Sequence, residues 1–314
     1  MAADSTAVTA ECGTRRAARG WLARCGAAAA AVALVLLLGP RAAPAIRASG
    51  APSRIISLVP AATEMLFAVG AGPDVIGVSS YDAYPPETKK LPRLGALLDP
   101  DVERILAMRP DLVVIYATQT DLQKQLQRAG IATFDYRHAG LADVTKTIRE
   151  LGTRTGHGDT ADRVASGIDA RLEAIHRAVA NLPRPKTLLI FGRERLALRG
   201  MYASGGVGFL HDMLTAAGGD NVFADIKQQA VQTSTETVIA RRPDAIVEIH
   251  SADTPVPHGT VEAEINTWSI LASVPAVRNR RVYYLIDDRL VIPGPRVAEG
   301  TKILADVLHP GAVK

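Results

Sequence analysis

The sequence contains the segment Glu103-Arg-Ile-Leu-Ala-Met-Arg-Pro-Asp111-Leu-Val-Val-Ile115 and repeats it, 133 residues later, as Glu236-Thr-Val-Ile-Ala-Arg-Arg-Pro-Asp244-Ala-Ile-Val-Glu-Ile249. In both copies a Glu stands eight residues before an Asp, and an Arg-Pro-Asp turn precedes a β-branched run. Pro cannot continue a helix and disfavours helical geometry in the residue before it, so each copy predicts a helix, a stop and a strand. A repeat of this length predicts two similar lobes, and a cleft between lobes is a common place for a ligand.

Residues 1–45 are typical of a secretion signal. A basic region with Arg15 and Arg16 precedes 12 apolar residues, Ala27 to Leu38, and a small-residue cleavage site, Ala43-Pro-Ala45. The apolar stretch is short for a membrane span, but an uncleaved membrane anchor is the alternative. Secretion predicts a periplasmic location for the remainder of the chain.

Composition excludes several functional classes for the exported part. Cys12 and Cys25 both lie in the predicted signal, so disulfides, thiolate metal sites and Cys nucleophiles are excluded beyond it. The signal also holds five of the 36 basic residues and two of the 32 acidic ones, which leaves a charge of +1. That balance gives no indication of a nucleic-acid partner.

Alternating strand and helix patterns predict parallel α/β packing. We predict an N-terminal lobe at 46–157, a connecting helix at 158–182 and a C-terminal lobe at 183–314. Within 159–181, apolar residues recur every three or four positions and form one helical stripe, which predicts a stiff connection between the lobes. The stripe consists of Val164, Ile168, Leu172, Ile175 and Val179.

Ligands of open α/β sheets bind outside the carboxyl ends of the strands. The predicted strand ends are rich in aromatic residues, which suit a large flat ligand or, alternatively, fill the core of their own lobe. These aromatics are Tyr81, Tyr84, Tyr116, Tyr136 and Phe191. The same ends carry predicted polar clamps, Arg193, Arg195, Asp288 and Arg289, and two histidines, His138 and His250.

No pattern indicates an enzyme. The sequence has no phosphate-binding loop ending in Gly-Lys-Ser/Thr, no His-x-x-x-His pair and no Gly-x-Ser-x-Gly elbow. The glycine-rich segment 205–208 resembles either a weak anion cradle or a flexible loop. We therefore expect a binding protein without a catalytic cofactor or resident metal. The alternative is an enzyme, namely a secreted hydrolase or a metal-dependent enzyme.

Glu103 and Glu236 occupy matching positions near the starts of the two repeated helices. The helix dipole favours an acid there, which is one explanation. The other is that the two acids form a symmetric docking pair for a partner with two-fold symmetry.

Three segments resemble the periplasmic substrate-binding proteins of ABC importers for vitamin B12, within the wider class that also binds ferric siderophores and haem. These segments are Val59–Gly70, Gly77–Pro86 and Glu103–Val114. The resemblance implies a class III fold: two α/β lobes joined by a rigid helix, with the ligand between them. It also implies a monomer whose Glu103 and Glu236 dock on a permease dimer in the inner membrane.

The resemblance assigns corrinoid contacts to Pro60, Ala61, Thr63, the loop from Tyr81 to Tyr84, Phe191, Gly192 and Asp288. The sequence departs from the family in two ways. Tryptophans of the family fall near Leu97 and near Ala230 or Val231 here, and only Trp268 lies beyond the signal. The segment 191–195 is also strongly charged, so the ligand is a corrinoid such as cobalamin or an anionic chelate such as haem or a siderophore.

Overall fold

The computed structural model describes residues 50–137, 139–252 and 260–313. The predicted signal and His138 lie outside these ranges, so the prediction of a signal stays a prediction. The N-terminal lobe contains a four-stranded parallel sheet of order β2-β1-β3-β4. Its strands are β1 (Ile55–Ser57), β2 (Val75–Val78), β3 (Leu112–Tyr116) and β4 (Ala132–Tyr136).

Helices cover both faces of this sheet. They are α1 (Pro60–Val69), α2 (Val102–Ala107), α3 (Thr120–Arg128) and α4 (Leu141–Arg154). Side chains alternate between the faces of a strand, so Val114 packs with α1 and α4, whereas Val113 packs with α2 and α3. Burial on both faces explains why β3 is a continuous apolar run.

One helix, α5 (Gly158–Val179), follows the N-terminal lobe and is 22 residues long. Its buried face includes Ile168, Ile175 and Val179 from the stripe found in the sequence. Helix α4 packs along α5 and was not predicted from the sequence. The apolar spacing Leu141, Val144, Ile148, Leu151 is the signal that could have found α4.

The C-terminal lobe contains a mixed sheet, in which the α/β alternation predicted from the sequence is joined by antiparallel strands. Its main order is β10-β9-β5-β6-β8, with β6 antiparallel to both of its neighbours. The strands are β5 (Lys186–Gly192), β6 (Met201–Ser204), β7 (Asp220–Asn221), β8 (Ala230–Thr233), β9 (Ala245–His250) and β10 (Val282–Ile286). Strands β6 and β8 were not predicted, because four residues are too few to show a clear period.

The helices of the C-terminal lobe again lie on both faces of the sheet. They are α6 (Phe209–Ala216), α7 (Thr235–Arg241), α8 (Thr260–Asn266), α9 (Pro275–Arg278) and α10 (Val297–Leu308). Short 3₁₀ turns include Thr267–Leu271 and Asp288–Leu290. In the described ranges, no helix is both long and apolar enough to cross a membrane.

The Asp of the repeated Arg-Pro-Asp turn accepts an equivalent backbone hydrogen bond in both lobes. Asp111 accepts a 2.9 Å hydrogen bond from the amide of Ser53, just before β1. Asp244 accepts a 3.1 Å bond from the amide of Lys186, the first residue of β5, over the same separation of 58 residues. The repeated Asp therefore joins the start of its own strand to the start of the neighbouring one.

The two lobes share a hydrophobic core. Helix α5 packs against α1 and α4 on one side and against α6 and α10 on the other. One continuous cluster contains Met65 from the N-terminal lobe together with Leu189, Met213 and Leu304 from the C-terminal lobe. A shared core holds packed elements in one arrangement, so we expect the lobes to move little relative to each other.

Candidate functional site

Tyr84 of the N-terminal lobe and Arg296 of the C-terminal lobe are in contact. Tyr84 follows β2 in the N-terminal lobe, and Arg296 precedes α10 in the C-terminal lobe. The guanidinium carbon lies 4.0 Å from the centroid of the tyrosine ring. This contact joins the two lobes next to the loop that carries Tyr81 and Tyr84.

A buried carboxylate shapes the loop that carries the two exposed tyrosines. Asp82 Oδ2 accepts hydrogen bonds from the Ser79 amide at 2.8 Å and from the Ser79 hydroxyl at 2.5 Å. Arg93 braces the same turn by donating to the carbonyls of Ser79 and Asp82. Tyr81 and Tyr84 remain 68% and 43% exposed on this braced turn, so both rings are available to a ligand.

Burial raises the pKa of the Asp82 carboxyl, and the hydrogen bonds from Ser79 oppose that shift. Asp82 is therefore a structural group beneath the tyrosines, and its side chain is buried.

An apolar pocket of about 350 Å³ lies in the wall of the C-terminal lobe. Phe191, at the end of β5, lines it together with Val207, Phe209 and Val291. Gly192 follows Phe191 and is half-buried. A pocket of this composition suits an apolar part of a ligand.

The start of α1 places its predicted contact residues unequally. Pro60 is the first residue of the helix and is half-buried, whereas Ala61 is almost fully buried. Thr63 is wholly buried, and its hydroxyl donates to Ser57 Oγ at 2.8 Å. Thr63 lies inside the helix with its side chain fully buried, and its contact with a ligand stays a prediction.

Arg193 is the clearest correction to the predicted site. Its guanidinium is buried and donates to Glu248 at 2.8 and 3.1 Å, and it also lies 2.9 Å from a carboxylate oxygen of Glu264. Two acids therefore hold the guanidinium inside the C-terminal lobe. The predicted clamp on a ligand is not available at Arg193, while Arg195 is exposed and lies 3.5 Å from Glu264.

Glu248 is the centre of this buried cluster. Burial alone would raise its pKa, but the nearby ring of His250 and the hydrogen bonds from Arg193 and Trp268 outweigh burial and hold the pKa below its usual value. The ring of His250 stacks on Tyr284 with centroids 4.2 Å apart. His250 therefore belongs to the interior of the lobe.

The remaining predicted strand-end residues are partly buried, apart from Tyr136, which is buried. Tyr116 is half-buried and contacts Tyr136 edge to face at 5.8 Å. Asp288 is half-buried and accepts from the hydroxyl of Ser251 at 2.8 Å. Arg289 donates to Asp287, which lowers the pKa of that carboxyl. Asp288 and Arg289 thus already carry protein partners.

The glycine-rich segment is a site of close packing and not an anion cradle. The amide of Gly205 donates to the carbonyl of Gln229, and that of Gly206 donates to the carbonyl of Ile226. A Cβ on Gly205 would lie 2.1 Å from the carbonyl oxygen of Gln228. Side chains are excluded there because two backbone segments approach closely.

Glu103 and Glu236 occupy equivalent places on their helices. Asp101 caps α2 through the amide of Arg104, and Ser234 caps α7 through the amide of Thr237. Each glutamate is the second residue of its helix and is exposed. The position satisfies the helix dipole and also leaves both carboxylates accessible to a partner.

Within the parts of the chain that the structure describes, no cluster of three or more His, Cys, Asp or Glu side chains could hold a metal ion. Two α/β lobes joined by one long helix are the architecture that the structure shows. The chain belongs to the family of periplasmic binding proteins, whose sequence pattern matches residues 55–288.

Relatives with two kinds of ligand resemble this chain. It is 31% identical to the vitamin B12-binding protein of Salmonella choleraesuis strain SC-B67, over 82% of this chain and 91% of that protein. It is 30% identical to the ABC transporter substrate-binding lipoprotein YvrC of Bacillus subtilis strain 168, over 84% and 82% of the two chains. The structure of the periplasmic haem-binding protein RhuT from Roseiflexus sp. RS-1 superposes with a TM-score of 0.70 at 28% identity and covers 84% of this chain and 100% of that one.

Proposed function

We propose that this protein captures a corrinoid between its lobes and delivers it to the permease of an ABC importer. Family membership supports the role of a substrate-binding protein, which is not enzymatic. The similarity to a vitamin B12-binding protein over most of both chains supports a corrinoid as the ligand. The predicted signal, 1–45, is part of this proposal, because capture would take place outside the inner membrane.

The observation that carries the proposal is the combination of exposed aromatic rings with neutralised arginines. Tyr81 and Tyr84 are exposed on the N-terminal lobe, and we propose that their rings contact the ligand. On the other lobe, each of the three arginines Arg193, Arg289 and Arg296 is paired with a carboxylate. A flat, largely uncharged chelate can stack on the rings without requiring any of these pairs to open.

Haem or a ferric siderophore is the second candidate ligand. Arg137, directly after β4, is exposed at the same edge of the N-terminal sheet and could pair with an anionic ligand. The likeness to a haem-binding protein supports this alternative. In the C-terminal lobe, Arg193, Arg289 and Arg296 are already paired with carboxylates and are not open to the anionic groups of haem or a siderophore. We therefore favour the corrinoid.

We propose that Glu103 and Glu236 dock the loaded protein on the permease. A permease dimer offers the same basic residue twice, and two equivalent acids on two similar lobes match that symmetry. The equivalent helix starts and the exposure of both glutamates support this role. The protein would act as a monomer, since its own two lobes supply both contacts.

Three probes test the proposed function: cyanocobalamin, haemin and a ferric hydroxamate siderophore. Each is dialysed to equilibrium against the purified protein, and the bound fraction is read from its visible absorption. Intrinsic tryptophan fluorescence is unsuitable, because Trp268 is fully buried in the C-terminal lobe. We expect retention of cyanocobalamin; retention of haemin or the siderophore alone would transfer the role to that ligand.

A further inference from the structure

One guanidinium joins the two lobes at the candidate site. Arg296 donates to both carboxylate oxygens of Glu64, with distances of 2.9 and 2.5 Å. Glu64 lies on α1 in the N-terminal lobe and is buried, and Arg296 is also largely buried. A bidentate pair of this kind fixes the plane of the guanidinium as well as its position.

The same guanidinium lies against Tyr84. With Glu64 holding its edge, the planar group lies over the tyrosine ring at 4.0 Å from the centroid. Stacking of Arg on an aromatic face is favourable, and desolvation strengthens it. Glu64 and Tyr84 belong to the N-terminal lobe and Arg296 to the C-terminal lobe. The ion pair and the stacking contact therefore form only when the two lobes are packed together.

The surrounding backbone is built to allow this approach. A Cβ on Gly294 would lie 2.9 Å from a carboxylate oxygen of Glu64. The chain before Arg296 therefore passes directly against the buried acid, and only glycine fits this contact without a shift.

We infer that Arg296 is a positioning residue for the ligand: from the C-terminal lobe it holds the ring of Tyr84 in one orientation. The guanidinium occupies one face of the ring and leaves the rest of this partly exposed side chain for the chelate. This inference rests on the proposed function. A ring that is already ordered before binding loses less conformational freedom when the ligand arrives.

A purely structural role for Arg296 as a clamp between the lobes makes different predictions. A clamp would affect stability, and ligand affinity would fall only as far as the fold was disturbed. A positioning role acts through Tyr84, so replacing Arg296 should have little further effect on affinity once Tyr84 is already Ala.

The first part of the test needs no ligand. The protein is labelled with 3-fluorotyrosine, and the ¹⁹F resonance of Tyr84 is assigned from its loss in Tyr84→Phe. Arg296→Met should shift and broaden this resonance, whereas Arg296→Lys should shift it less because a cation remains. The matched control is Arg171→Met, which removes the exposed ion pair with Glu299 on α10. An unchanged Tyr84 resonance in Arg296→Met would overturn the inference and leave the proposed function intact.

The second part measures cyanocobalamin affinity by calorimetry in a double-mutant cycle of Arg296→Met and Tyr84→Ala. We expect each single variant to weaken binding about tenfold and the double variant to be little weaker than Tyr84→Ala alone. Additive losses, or a loss that only follows the drop in melting temperature, would contradict positioning. If the wild-type protein binds none of the three probes, the proposed function itself fails, which is distinct from an unshifted resonance.

Discussion

The indole of Trp268 donates a 2.5 Å hydrogen bond to the carboxylate of Glu248. Both residues are fully buried, and the same carboxylate receives the guanidinium of Arg193. This cluster holds the loop after β5 against the interior of the C-terminal lobe. An arginine that looks like a ligand clamp in the sequence is therefore part of the structural core.

The Glu248 cluster predicts a large loss of stability in Glu248→Gln. Removal of one partner from a buried pair leaves the charge of Arg193 with only Glu264, and we expect a loss of about 3 kcal/mol in the free energy of unfolding at pH 7. Urea denaturation measures it. The control is Glu173→Gln on the exposed face of α5, where the pair with Arg177 should contribute less than about 0.5 kcal/mol.

The effect should also depend on pH with a defined sign. The pKa of Glu248 is lower in the folded protein than its ordinary value of 4.5, so the folded state favours the ionised form. Its contribution is present above pH 4.5 and disappears as the pH falls through the lower folded value. The stability difference between wild type and Glu248→Gln should shrink as the pH falls below about 4.5. A constant difference over this range would show that ionisation of Glu248 is not involved.

The shared core of the lobes predicts small motion on ligand binding. Helix α5 contacts both lobes along its length, and no flexible linker replaces it. Small-angle X-ray scattering of the free protein and of the protein with cyanocobalamin should give nearly the same radius of gyration. A clear fall on binding would indicate a hinge where the structure has a packed helix.

The two equivalent glutamates predict a defect in transport without a defect in ligand binding. Glu103→Lys combined with Glu236→Lys should fold and bind the chelate normally, yet fail to drive uptake through the permease. Charge reversal should be more severe than Ala, because like charges would then meet in the interface. Uptake of the labelled chelate in cells or vesicles measures the effect.

A matched control for charge reversal is Glu150→Lys with Glu173→Lys, which changes two exposed glutamates on α4 and α5. That variant should support normal uptake. Wild-type uptake in the double reversal of Glu103 and Glu236 would remove their docking role, and the repeat would record only the similar architecture of the lobes.

Most of the helices and strands could be predicted from the repeated segment and from the periodic spacing of apolar residues. Glu103 to Ile115 and its copy correctly predicted a helix, a turn and a strand in each lobe, because those elements depend on neighbours in sequence. The stripe of α5 did the same. The antiparallel strands β6 and β8 were missed, since such short strands take their geometry from the sheet they join.

The candidate site was less accessible to sequence reasoning. Arg193 and Glu248 are 55 residues apart, and Arg296 and Glu64 are 232 residues apart. No local period reports such pairs, so an arginine at a strand end cannot be assigned to the ligand or to the core from sequence alone. Thr63 illustrates the same limit, because its hydroxyl is turned into its own lobe and away from the surface.

The tyrosine loop provides the most direct test of the central claim, which is that a chelate binds between the lobes against Tyr81 and Tyr84. The measurement is the affinity for cyanocobalamin, by calorimetry, of wild type, Tyr81→Ala and Tyr84→Ala. Ile270→Ala is the control, since this exposed side chain lies in the 3₁₀ turn Thr267–Leu271 and belongs to neither the tyrosine loop nor the apolar pocket. We expect Tyr81→Ala and Tyr84→Ala each to weaken cyanocobalamin binding by about 1–3 kcal/mol. The thermal stability of Tyr81→Ala should be nearly unchanged. Wild-type affinity in both variants would contradict the central claim and would remove this loop from the binding site.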